Sequence, residues 1–422
     1  MSLTLAGRAD WLAGEDLQRL LAALSEGGEE ARIAGGAVRN ALLGQSVTDI
    51  DIATTTLPEE TIRRGEAAGF KAVPTGADHG TITLIASGKP YEVTTLRADV
   101  ETDGRRARVR FGRDWRADAE RRDFTINGLY AAADGTVIDL VGGTHDIETR
   151  TVRFIGDPEA RIREDYLRIL RFFRFFAWYG AGRPDAAGLR ACARLKEGVD
   201  GLSAERVWAE LKKLLSAPGP SRALLWMRQS GVLSRILPES EKWGIDAVHA
   251  LVDTERDLGW APDPLLRLAA IVPPDAERMS QLAARLRMSK AEAARLADWA
   301  SAKPLAPTTT EGELDRALYY GKPAGIMDRL RLAVVSARNR AVTDTDALTE
   351  AGAYARLLRQ AEEWSRPAMP VKGNDLKQLG VKDGKALGDL LRELESAWVD
   401  SRFTLGREAL LKRAASQLSP GI

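Results

Sequence analysis

Residues 32–53 read RIAGGAVRNALLGQSVTDIDIA. The stretch parses as a short β-run, RIAG, then a helical stretch, AVRNALLG, and a second β-run, TDIDIA. Gly35 and Gly36 fall at the strand-to-helix junction, where residues without a β-carbon let backbone N–H groups and a helix N-terminus approach an anion closely. A triphosphate suits such a junction. Asp49 and Asp51 are expected at alternate positions of the second strand, with both carboxylates on one face near the glycine turn. Hard oxygen ligands beside a phosphate cradle suit Mg²⁺. Taken alone, GG and DxD are common, and a glycine turn with two solvated edge-strand acids accounts for them equally well.

Outward from this stretch the chain has two grammars. Up to about Leu140 further β-rich runs recur, TITLIA (81–86), YEVTTL (91–96) and TVIDLV (136–141), with a helical stretch at PEETIRRGEAAGF (58–70). A small mixed sheet with helices is expected there. From Asp157 onward the pattern is helical, as in SAERVWAELKKLL from Ser203, SKAEAARLADWA from Ser289 and GKALGDLLRELESAW from Gly384. The fold class is therefore α+β, with weak breaks in the helical array near 180–200 and 330–345. Residues 97–116, with seven arginines and four acids, show no clear period and are expected to form a functional or mobile loop.

Composition narrows the function classes. With 422 residues, 44% of them apolar, the chain has enough material for two to four structural units with buried cores. Sixty-one Lys and Arg against sixty Asp and Glu give a net charge of +1, so any nucleic-acid contact must use a local basic patch. One cysteine, Cys192, and three histidines cannot form an intrachain disulfide or a Cys/His zinc cage. A reducing cytoplasm is the expected compartment. The N-terminal MSLTLAGRADWLAGED lacks a signal-peptide pattern, and the most apolar stretch, 167–180, is broken by Arg168, Arg171 and Arg174, so no membrane partner is expected.

Three more polar clusters stand out. Glu92 lies in YEVTTL with Tyr91 and Val93 facing the other way, so its carboxylate joins Asp49 and Asp51 if the strands are neighbours. Three carboxylates on one sheet face repel unless a metal neutralises them. RRDFTING (121–128) crowds arginines, an aspartate, a threonine and an asparagine into one helix turn, more polar functionality than packing requires. REDYLRILRFFRF places Asp165, Arg168 and Arg171 along one side of a helix, where an intrahelical ion pair is the ordinary explanation. His145–Asp146 is an HD pair, but His79 and His249 cannot complete a metal phosphohydrolase site around it.

The segments AGGAVRN, DIDIAT, HGTITL, EVTTLR, RRDFTIN and REDYLRILRFFRF, in this order, closely resemble the class II tRNA nucleotidyltransferases. These are the CCA-adding enzymes and their poly(A) polymerase relatives. The resemblance is dense over about residues 30–180, and LSAERVWAELKKLL and KGNDLKQLG look like the family's helical body and tail. It implies a catalytic head over 1–140, a base-recognising neck over 141–200, a body over 201–335 and a tRNA-binding tail over 336–422. It also implies that Asp49 and Asp51 ligate Mg²⁺ with Glu92 as third carboxylate. Gly35, Gly36 and Arg39 would bind triphosphate, and Arg122, Asp123 and Asn127 would recognise ribose and phosphates. Asp165 and Arg168 would read the base, and Arg171, a turn on, would bind the nucleotide. Asn40 stands where the family most often has aspartate, so neutral hydrogen bonding is expected to replace an ion pair to a motif arginine, with weaker positioning but not loss of activity.

The implied activity is addition of C, C and A to tRNA 3′ ends from CTP and ATP without a nucleic-acid template, and no protein partner is implied. A poly(A) polymerase or an A-adding relative is the alternative within the fold. The arginine-rich segment 97–116 argues against a CC-only relative, since those shorten this loop, and HGTITL argues against the polymerases. A non-catalytic RNA-binding protein is the alternative outside it, disfavoured because all three carboxylates are present. Lys372, Lys377, Lys382 and Lys385 are candidate phosphate contacts, although a solvated helix face explains each equally well. Trp178, Trp208 and Trp226 are expected in the helical core rather than as base-stacking platforms.

Overall fold

The computed structural model describes residues 3–76, 80–103, 106–241 and 244–418, and for 98–110 the backbone alone. His79 and the arginine side chains at 105–110 lie outside the described residues. The chain divides into two compact units, Met1–Pro238 and Glu239–Ile422.

The strands of the first unit are β1 (Ala31–Ala34), β2 (Asp51–Thr54), β3 (Lys71–Gly76), β4 (Thr81–Ala86), β5 (Lys89–Thr95), β6 (Arg97–Asp103), β7 (Arg106–Phe111), β8 (Leu129–Ala131) and β9 (Val137–Asp139). Seven form one sheet in the order β3-β4-β5-β2-β1-β8-β9. Only the central β2–β5 pair is parallel, and its register sets Asp51 opposite Glu92. The expected mixed sheet is thus present, with β3 and β8 added to the strands read from sequence. The segment expected as an irregular loop contains a hairpin, since β6 and β7 pair antiparallel with Arg97 opposite Phe111. Ala107, Val109 and Phe111 do alternate, but arginines between them hid the period.

Helices α1 (Glu15–Leu24), α2 (Gly36–Leu42), α3 (Pro58–Ala67), α4 (Trp115–Glu120) and α5 (Gly143–Glu148) accompany the sheet. The first unit continues with α6 (Pro158–Glu164), α7 (Leu167–Tyr179), α8 (Ala186–Arg194), α9 (Ala204–Leu215), α10 (Pro220–Gln229) and α11 (Val232–Ile236). Pro58 and Pro158 occupy first turns, where the missing N–H costs no hydrogen bond. Ala34, Ala53, Leu96, Trp115, Ala119 and Tyr130 make one core on the sheet. α7 splits its sequence by face: Phe172, Phe173 and Phe176 are buried, while Arg168, Arg171 and Arg174 point to a polar region. Phe172 and Phe175 pack on Phe124, so the RRDFTIN turn is clamped to α7.

The second unit is helical among its described residues: α12 (Asp246–Leu258), α13 (Pro264–Ile271), α14 (Ala276–Arg285), α15 (Lys290–Ser301), α16 (Glu311–Tyr320), α17 (Pro323–Arg340), α18 (Thr345–Glu363), α19 (Gly373–Gln378), α20 (Lys385–Asp400) and α21 (Arg407–Leu418). Ser289 and Glu292 cap α15 reciprocally, as the sequence SKAE suggests. One core gathers Leu314, Leu330 and Leu357, another Leu376, Leu394 and Trp398. The expected boundaries at 140 and 200 fall inside the first unit, and that at 335 falls within α17. Trp208 is buried, whereas Trp178 and Trp226 are half-buried. Lys372, Lys377, Lys382 and Lys385 are exposed, and Lys377 pairs with Asp383. No helix among the described residues is long and apolar enough to cross a membrane.

Asp146 of the HD pair is buried at 3% exposure, accepts from Thr125 Oγ1 at 2.6 Å and pairs with Arg153 at 3.2 Å. Its work is to pin the RRDFTIN turn. Asp146→Ala is expected to strand the buried Thr125 hydroxyl and lower stability by about 1–3 kcal/mol in urea unfolding. An unchanged midpoint would contradict that role.

Candidate active site

Gly35 leaves β1 at φ 60°, ψ −107°, a conformation that favours glycine, and a β-carbon there would lie 3.0 Å from Arg122 Nη1. The turn therefore allows α2 to begin at Gly36 with Arg122 pressed against the backbone. The same departure ends the ladder: Ala34 opposite Asp51 is the last β1–β2 pair, so Asp49 has no strand partner and lies outside β2. The expectation that Asp49 and Asp51 occupy alternate positions of one strand is corrected accordingly. Asp49 nevertheless lies close enough for its charge to act on Asp51.

Asp51 and Glu92 face a cavity of about 250 Å³ that Arg122 also lines. Tyr91 and Val93 are buried on the opposite face, as the alternation required. Burial pushes the Asp51 carboxyl up, and the charges of Glu92 and Asp49 add to it, while Arg122 opposes them. Among the described residues no three His, Cys, Asp or Glu side chains form a closed metal-holding group. What exists is a pair of carboxylates on neighbouring strands, Asp51 and Glu92, with Asp49 nearby, all oxygen donors, in a cavity that Arg97, Arg121 and Arg122 also line. That chemistry fits a hard divalent cation.

A second cavity, about 470 Å³, is lined by Gly35, Gly36, Arg39, Arg122, Asp123, Asn127, Asp165, Arg168 and Arg171, together with Leu167, Phe175 and Arg206. The nine predicted nucleotide-binding residues, spread over more than 130 positions of sequence, thus line one cavity. Arg122 borders both cavities. Its Nη2 donates to Asp118 at 3.1 Å and Nη1 to Asn127 O at 3.3 Å, while its buried Nε–H has no partner among the described residues. An unpaired buried guanidinium N–H is costly without a ligand.

The other side chains form one network. Asp123 accepts from Arg171 Nε at 2.6 Å, from Asn127 Nδ2 at 2.9 Å and from the N–H of Phe124 at 2.9 Å. Burial pushes its carboxyl up, but these three donors outweigh burial and hold it below the usual carboxylate range. Arg39 donates to Asn127 Oδ1, to Tyr179 Oη at 2.8 Å and to Asn40 Oδ1 at 3.1 and 2.9 Å, and it lies over the Tyr179 ring. Four of its five N–H groups are thereby engaged, which fixes Arg39 against Asn127, Asn40 and Tyr179. Asn40 supplies the neutral hydrogen bonding anticipated for that position.

The Asp165–Arg168–Arg171 helix face needs correction. α6 ends at Glu164 and α7 starts at Leu167, so Asp165 sits in the break, in an extended conformation (φ −156°). Its carboxylate accepts from Leu167 N–H at 3.1 Å and from Arg206 of α9 at 2.6 Å. Arg168 instead donates to Glu164 at 2.5 Å and to Arg161 O at 2.7 Å. The expected intrahelical Asp165–Arg168 ion pair is absent. Sequence reasoning missed Arg206, Tyr179 and Glu210, because each acts at a distance of at least 36 residues, beyond any local pattern.

Two families match in sequence: the Poly A polymerase head domain over residues 31–153, and the Probable RNA and SrmB- binding site of polymerase A over 185–243. CCA tRNA nucleotidyltransferase 1, mitochondrial, of Mus musculus is 34% identical over 402 residues, covering 94% of this chain and 89% of that protein. The CCA-adding enzyme of Streptococcus gordonii is 31% identical over 396 residues, covering 93% and 94%. Among solved structures, the Bacillus stearothermophilus CCA-adding enzyme in complex with CTP has a TM-score of 0.66 at 25% identity, covering 96% and 98%.

Replacing Asp51 by the neutral isostere asparagine is expected to raise the melting temperature in chelator at neutral pH. The raised carboxyl costs stability only where it must ionise in the fold, so the gain should vanish as pH falls below the ordinary carboxylate range. Melting curves at pH 7.5 and pH 3 read this out, and a lower melting temperature for the variant at pH 7.5 would contradict the repulsion.

Proposed function

The chain belongs to the CCA-adding tRNA nucleotidyltransferase family, and from that premise we propose that it adds cytidylate, cytidylate and adenylate to tRNA 3′ ends from CTP and ATP, without a nucleic-acid template. One observation carries the assignment of roles: a cavity lined by the nine predicted nucleotide contacts adjoins the Asp51–Glu92 carboxylates through the shared Arg122.

Nucleotidyltransferases generally use divalent metals, and Mg²⁺ is the proposed ion, with Asp49 and Asp51 as ligands and Glu92 beside them. When bound, a pair of such ions supplies a primer 3′-hydroxyl of lowered pKa and neutralises charge on the triphosphate and departing pyrophosphate. The protein's own part is positioning. Gly35 and Gly36 keep side chains out of the way of the triphosphate, and Arg122, at the wall of both cavities, supplies positive charge beside it. Asp123 fixes Asn127 toward the ribose and phosphates and holds Arg171 at the pocket wall.

Asp165 and Arg168 are the proposed readers of the base. Cytosine and adenine each present an exocyclic amino donor beside an unprotonated ring nitrogen, and a carboxylate with a guanidinium complements both. Uracil and guanine present a carbonyl and a ring N–H there, leaving buried polar groups opposed at about 1–3 kcal/mol each. The hairpin of β6 and β7 is the proposed lever for switching between the two bases. The sole cysteine, Cys192, is a buried free thiol, and a reducing compartment such as the cytoplasm is the proposed setting. The exposed lysines at 372, 377, 382 and 385 are proposed tRNA phosphate contacts, whose binding should weaken as salt rises.

Asp49→Ala and Asp51→Ala are each expected to reduce nucleotide incorporation to background while tRNA affinity, read by filter binding, stays within about threefold, because phosphate contacts elsewhere supply it. Unaltered turnover in either variant would sink the metal assignment.

A further inference from the structure

Asp165 and Arg168 carry opposite charges three residues apart, and left alone they would pair with each other across the space a base must enter. In the structure they do not. Arg168 is drawn to Glu164 and to the carbonyl of Arg161, while Asp165 is drawn the other way, to Arg206 Nη2 at 2.6 Å. Arg206 lies in the first turn of α9, an element outside the base-reading segment, and only 27% of its side chain is exposed. α9 is itself fixed to α7, since buried Glu210 accepts from Arg174 at 2.5 Å. The turn that leads into α9 also holds Asp165 through its neighbour. A β-carbon on Gly198 would lie 1.9 Å from the Tyr166 ring, so Tyr166 seats directly on that backbone.

We propose that Arg206 is a positioning residue for nucleobase selection, holding the Asp165 carboxylate away from Arg168 so that both remain open to the base. The inference rests on the reading of Asp165 and Arg168 given above. The carboxylate has about four acceptor sites. Leu167 N–H and Arg206 take one on each oxygen, which leaves one on each for an exocyclic amino group. Without Arg206 the carboxylate swings onto Arg168, and the two groups satisfy each other instead of a nucleotide. The penalty then falls on CTP and ATP, the substrates that use the pair. UTP and GTP lose nothing.

The test is steady-state kinetics of Arg206→Ala, Arg206→Lys, Asp165→Ala and the Asp165→Ala/Arg206→Ala double variant, with each of the four nucleoside triphosphates on a tRNA primer. Arg206→Ala should lower kcat/KM for CTP and ATP by at least about tenfold and leave UTP and GTP within about threefold, collapsing discrimination. Arg206→Lys, which keeps the charge, should restore most of it. In the Asp165→Ala background the Arg206 change should add nothing, since one residue acts through the other. Equal losses for all four nucleotides would make Arg206 a triphosphate contact or a structural residue and overturn the proposal. So would intact discrimination in Arg206→Ala beside lost discrimination in Asp165→Ala. Discrimination that survives Asp165→Ala would overturn the base-reading role itself. Should Arg206→Ala fold poorly, Gly198→Ala, which displaces Tyr166, is expected to give the same selective loss, and an equal loss across nucleotides there would count against the proposal.

Discussion

The arrangement depends on a carboxylate kept ionised where burial alone would neutralise it. Asp123, 8% exposed, accepts from Asn127 and the Phe124 N–H within its own turn and from Arg171 of α7. Asn127 passes the constraint to Arg39 on α2, and Arg171 passes it to α7, whose next arginine grips Glu210 on α9. A turn beside the sheet, a helix after the glycines and two helices of the following array are thereby fixed to one point. Breaking one partner of such a buried pair leaves the other charge stranded, at a cost of about 3–5 kcal/mol. The pocket is stiff because its charges cannot be rearranged one at a time.

The two cavities use electrostatics in opposite ways. Around Asp123, Asp165 and Glu164 every carboxylate has an arginine, and the 470 Å³ cavity is organised by pairs formed before any ligand arrives. Around Asp51 the charges of Glu92 and Asp49 add to burial in pushing its carboxyl up, Arg122 opposes them, and none of the three carboxylates has an ion pair among the described residues. Paired charge suits a surface that must keep its shape, and unpaired charge suits a place where counter-charge comes with the substrate. Arg122, which lines both cavities, stands at the boundary between them.

Much of this was legible in the sequence where local rules apply. Glycines at a strand end, a period of two around Glu92 and the helical period from Asp157 onward each depend on near neighbours, and the sheet, its glycine turn and the helical array followed. Asp49 was misplaced because the end of a ladder is decided by the partner strand, which turns off at Gly35. Asp165 was read onto a helix because the break between α6 and α7 carries neither Gly nor Pro to announce it. The hairpin at 97–111 was hidden by its arginines, and β8, three residues long, offers too little pattern to read. Arg206 had no local signal, since its partner lies 41 residues away.

CCA addition by this chain is decided by primer extension in Mg²⁺ on tRNA transcripts ending at the discriminator base, after CC and after CCA, with each nucleoside triphosphate alone and CTP with ATP. CCA is expected to be completed on the first two transcripts, with UTP and GTP used far more slowly than CTP and ATP, and extension to stop at the mature end. Adenosine tails on any RNA, or no incorporation by a chain that binds tRNA tightly, would contradict it.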